Sequence, residues 1–112
     1  MLLLIAFAAA AAQPSKQSAP PPDLEVVGRL VENVSYEAID DPDDLLGHGW
    51  ITARFRITRT VRGRPSSRLI TIRYLAHTYR SANSPMRLRL RADANGTYFV
   101  CAEPGGQGLI CG

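Results

Sequence analysis

At 112 residues, 46% hydrophobic and 21% charged, the chain is too short for several domains and too apolar to stay unfolded. Its net charge of +3 hides an uneven distribution. Residues 24–48 carry seven acids against Arg29 alone, and residues 49–100 carry eleven arginines against Asp93 alone.

In chain order, the first segment is Met1 to Ala12, an apolar run that ends in small residues and reads as an export signal. Twelve residues of helix reach about 18 Å, against roughly 30 Å of bilayer hydrocarbon, so the segment is no stable membrane span. Ala10 and Ala12 are the paired small residues, and cleavage after Ala12 starts the mature chain at Gln13. No Lys or Arg precedes the run, so the α-amino group alone supplies the positive n-region. A buried N-terminal helix is the competing reading, and the lack of any polar face weighs against it. The expected location is periplasmic or secreted.

Residues 13–23 hold Pro14, Pro20, Pro21 and Pro22 with Ser15 and Ser18, a composition that buries no core and favours extended polyproline. They read as a disordered Pro/Ser-rich linker ahead of a single domain over residues 24–112.

From Leu24 the hydrophobic period becomes two, the period of strands. Leu24, Val26, Gly28, Leu30, Val34 and Tyr36 share one parity, with Glu25, Arg29 and Ser35 on the other. Gly28 inside the run permits a bulge or the sharp coiling that a closing barrel needs. Asp40-Asp41-Pro42-Asp43-Asp44 breaks the run. In the second strand Ile51, Ala53, Phe55, Ile57 and Val61 face one way, and Thr52, Arg54, Arg56, Thr58, Thr60 and Arg62 the other. Arg59 is an exception on the apolar side. Gly63 to Ser67 is turn chemistry, and Leu69 to Ala76 is a third strand with Ile70, Ile72 and Tyr74 inward. His77 to Pro85 is too short and polar for a long helix. Met86, Leu88 and Leu90 alternate with Arg87, Arg89 and Arg91 in a fourth strand. Asn95-Gly96 marks a hairpin, and Thr97 to Ala102 returns as a fifth. Pro104-Gly105-Gly106 turns the chain so that Leu109 to Cys111 lies beside Cys101. Five or six short strands without a helix predict an all-β domain, a small closed or partly closed barrel.

Cys101 and Cys111 are the only cysteines. An even count in an exported chain, without C-x-x-C spacing, points to a structural disulfide. Closing that loop contributes about 3 kcal/mol by chain entropy.

Three segments carry a family resemblance: Val26-Val27-Gly28-Arg29-Leu30-Val31, the strand Ala53 to Val61 running on through Arg62 to Gly63, and Asn95-Gly96-Thr97-Tyr98-Phe99-Val100-Cys101. Together they resemble the netrin/TIMP-like OB-fold modules of exported proteins. The resemblance implies a five- to six-stranded OB-like barrel and an exported setting. Family members that inhibit metalloproteinases begin with a cysteine, whereas here no cysteine precedes Cys101. The inhibitory activity is therefore not expected.

Catalytic chemistry finds little support. His48 and His77 are the only imidazoles, and Ser66, Ser67, Ser81 and Ser84 lie in no nucleophile elbow. The aspartates of residues 40–44 lack the spacing of an EF-hand loop. A non-enzyme without cofactor or metal is expected, an exported small β-barrel that serves as a binding or structural accessory module; a polyanion-binding barrel using an arginine face is the alternative, and a hydrolase or metal site in the loop from Asp40 to Trp50 is a third reading. The surface feature with functional content is arginine: Arg54, Arg56 and Arg62 on one outer face, Arg73 beside them, and Arg87, Arg89 and Arg91 in a second row. Packed guanidinium groups repel, so they call for acids of strand one (Glu25, Glu32, Glu37) or for an external polyanion. Lipopolysaccharide, another anionic envelope component, a polysaccharide or a protein partner fits an exported chain. Export and the scarcity of aromatics beside the arginines make nucleic acid a poor fit.

Overall fold

A computed structural model describes residues 21–112 apart from 46, 104, 105 and 107. The signal segment and most of the linker lie outside the described residues. Five strands form in the places that period-two burial predicts: β1 (Leu24–Ala38), β2 (Gly49–Arg62), β3 (Leu69–Ala76), β4 (Pro85–Ala92) and β5 (Tyr98–Val100). They close into a barrel in the order β1-β2-β3-β5-β4. All neighbours are antiparallel except β3 and β5, which run parallel. The connection from β3 to β4 contains no helix. The fold is all-β and OB-like, a closed five-stranded barrel.

The core is the inward parity of each strand. Leu24, Val26 and Leu30 of β1 meet Ile51, Ala53, Phe55 and Ile57 of β2, with Ile70, Ile72 and Tyr74 of β3, Leu88 and Leu90 of β4, and Tyr98 of β5. Phe55 is fully buried at the centre. Gly28 permits the tight coil of β1: a Cβ there would stand 2.0 Å from the Arg56 carbonyl oxygen and 2.8 Å from the Phe55 ring. A register shift between Val27 and Gly28 lies at the same place.

Two inward expectations, Val34 and Val61, are corrected, and bulges are the reason. Register shifts fall between Leu30 and Glu32 and between Asn33 and Ser35. The first rotates Asn33 to the inner face opposite Ala53, and the second leaves Val34 between paired residues, 57% exposed. Tyr36 returns to the inner parity opposite Ile51, as expected, although it stays 40% exposed. Val61 falls between the pairs Val26–Thr60 and Glu25–Arg62 and is 39% exposed.

The ordered contacts begin just before Leu24. Asp23 donates its N–H to the Leu90 carbonyl at 2.8 Å and accepts from the Ala92 N–H at 2.8 Å. Pro22 is buried, and Arg91 Nη2 donates to the Pro21 carbonyl. At the other end, Cys101 and Cys111 form the disulfide, with Cα atoms 5.6 Å apart. Cys101 also bridges to Leu109 in parallel, which lays the tail along the end of β5. No helix among the described residues is long and apolar enough to cross a membrane.

Candidate functional site

Strand register decides which arginines meet. On the outer surface of β4-β1-β2, directly opposed residues form three rows: Arg87–Val27–Arg59, Arg89–Glu25–Arg62 and Pro85–Arg29–Arg56. Six guanidinium groups thereby surround β1 from Glu25 to Arg29, where Glu25 is the one acid. Arg29 and Arg56 stand directly across from each other, an arrangement that is unfavourable for like charges. The compensation is local and incomplete. Glu25 Oε2 accepts from Arg87 at 2.6 Å, Arg29 donates to the Asn83 carbonyl, and Arg89 donates to the Gly112 carbonyl. Arg56, Arg59 and Arg62 are exposed and form no ion pair among the described residues.

Arg59 belongs to this face although alternation placed it on the apolar side, and Arg29, outward by its parity, joins it. The shift between Val27 and Gly28 inserts Thr58 as an extra residue in β2. Parity flips at that point, so Arg59 pairs with outward Val27. The run of three polar residues Thr58-Arg59-Thr60 is the trace of this bulge in the sequence.

The remaining members of the expected stripe are dispersed. Arg54 points outward beside Glu32, with Nε 3.8 Å from Oε2. Arg73 is bound into a separate cluster. Its Nη2 donates to Glu37 Oε1 at 2.8 Å, and its Cζ lies 5.8 Å from the Trp50 ring centroid and 5.4 Å from that of Phe99. Trp50 and Phe99 meet edge to face at 5.3 Å. Arg91 pairs across β4 with Phe99 and bonds the Pro21 carbonyl. Glu25, Glu32 and Glu37 thus each neutralise one arginine, as self-neutralisation predicts, while the middle of the β1–β2 face stays uncompensated.

Two further features lie elsewhere. Tyr74 donates its hydroxyl to Asn33 Oδ1 at 2.6 Å and accepts the Arg80 N–H at 2.9 Å. Burial pushes its phenol above the ordinary value, and the hydrogen bond from Arg80 opposes that rise. Because β5 ends at Val100, a cleft of about 650 Å³ opens between β3 and β4, lined by residues that include Leu75, Met86, Val100 and Arg80. In the loop before β2, Asp44 Oδ2 accepts the His48 N–H at 2.6 Å, and Asp44 Oδ1 lies 2.7 Å from His48 Nδ1.

In comparisons with protein-family models, curated proteins and solved structures, nothing matches the chain.

Proposed function

We propose that the protein is an exported, netrin-like barrel that acts by binding rather than by catalysis, and that its β4-β1-β2 face receives a polyanion. The supporting observation is the uncompensated centre of that face, where Arg56 stands across from Arg29, Arg59 forms no ion pair among the described residues, and Arg62 lies across from a Glu25 that pairs with Arg87. A sheet does not gain stability from like charges set opposite one another, so a partner that supplies phosphate or sulfate groups relieves the repulsion. Arginine suits such groups through its fixed fork of donors. In a periplasmic or secreted setting the phosphorylated or sulfated targets are lipopolysaccharide and anionic polysaccharide.

Two double variants with equal loss of charge test this reading. Arg59→Ser/Arg62→Ser removes charge from the face, and Arg73→Ser/Arg80→Ser removes it elsewhere. On immobilised heparin or lipopolysaccharide, the first should elute at clearly lower salt than wild type, and the second close to wild type. Equal shifts in both variants reduce the behaviour to net charge and reject the face.

A further inference from the structure

The two histidines of the chain, remote in sequence, meet at one end of the barrel. His48 immediately precedes β2 and His77 immediately follows β3. Gly49 of β2 pairs directly with Ala76 of β3, so the register itself sets the two histidines side by side. Their ring centroids are 5.4 Å apart at an interplanar angle of 79°.

Asp44 fixes one of the rings. Its carboxylate receives both the backbone N–H and the Nδ1 side of His48, and its side chain is only 5% exposed. A carboxylate held on Nδ1 keeps the proton there and leaves the lone pair on Nε2. This carboxylate–imidazole arrangement is the one that orients metal-binding histidines and raises their basicity. His77 is exposed, and its ring lies edge to face with that of His48, where its nitrogens are open to a ligand.

We infer that His48 and His77 form a two-imidazole site for a borderline divalent transition ion of the zinc class, with Asp44 as the positioning residue. Imidazole nitrogen suits zinc, copper and nickel, whereas calcium and magnesium prefer oxygen. No group of three or more metal-ligating side chains occurs among the described residues, so water completes the coordination. Binding is accordingly weak and exchangeable. A bound ion ties the loop between β1 and β2 to the end of β3, far along the barrel from the arginine face. The two sites therefore stand or fall separately.

Calorimetric titration of the full chain with Zn²⁺ tests the site, with NMR of the histidine ring protons as a second readout. Wild type should bind one ion per chain and shift both sets of ring resonances. His48→Gln and His77→Gln should each weaken binding tenfold or more, with melting temperatures close to wild type because neither ring is in the core. Asp44→Asn keeps both imidazoles and should cost about tenfold, within the range for second-shell partners. Calcium should give no heat. Absence of zinc heat in wild type, unchanged affinity in either histidine variant, or calcium binding at the same stoichiometry overturns the site. Unchanged affinity in Asp44→Asn overturns the positioning role.

Discussion

Gly28 shows how a single residue sets the curvature of the barrel. Its hydrogen faces the Arg56 carbonyl oxygen and the Phe55 ring, and any Cβ would overlap both. Gly28→Ala should cost at least about 3 kcal/mol, a fall of roughly 12 °C or more in Tm for a domain of this size, measured by thermal unfolding. Tyr74 carries a different load. Its hydroxyl joins Asn33 to the Arg80 backbone, so Tyr74→Phe leaves a donor and an acceptor unpaired and should cost about 1–3 kcal/mol at neutral pH. The raised phenol pKa adds a pH dependence. The unfolded chain releases this proton near 10.0, before the folded state does, so the stabilisation is complete below that pH and declines as pH rises through it toward the folded value. Denaturant titrations between neutral and strongly alkaline pH should show a steeper decline in wild type than in Tyr74→Phe.

Among the elements, β5 is the weakest link in the closure. It has three residues, pairs with β3 at only Ile72–Tyr98 and Arg73–Phe99, and continues into the bridge between Cys101 and Leu109. Strands this short contribute little pairing energy, so the disulfide and the bonds from Cys101 N–H to the Arg89 carbonyl and from Ala102 N–H to the Leu109 carbonyl hold the seam. Cys101→Ser/Cys111→Ser should lose about 3 kcal/mol in denaturant unfolding. Amide exchange in that variant should rise first at Tyr98 to Val100, while the long β1–β2 pair stays protected. β1 and β2 show the opposite character. They are long and strongly coiled, and four register shifts between them re-aim their side chains. Those shifts turn a plain alternation of apolar residues and arginines into a clustered basic face.

At the level of the whole molecule, charge and core occupy complementary surfaces. Among the described residues no polar or charged residue counts as buried in the core. The arginines are therefore all driven outward, and the topology decides how densely they collect. β4, β1 and β2 are neighbours in space although β4 is remote from β1 in sequence. That adjacency joins two arginine-bearing strands across a third. Binding at such a face should weaken linearly in a plot of log affinity against log salt, and Arg59→Ser/Arg62→Ser should flatten the slope.

The residues alone determined the five strands, their inward faces around Leu24, Phe55, Ile72 and Leu90, the barrel class and the disulfide. Each of these depends on neighbouring residues or on a period of two, which local order expresses directly. Tertiary structure alone decided which arginines meet, that Arg59 faces outward, that Val34 and Val61 are exposed, and that His48 stands against His77. Bulges and cross-strand register produce these results, and both arise from how one strand fits another, a property that no single stretch of chain encodes.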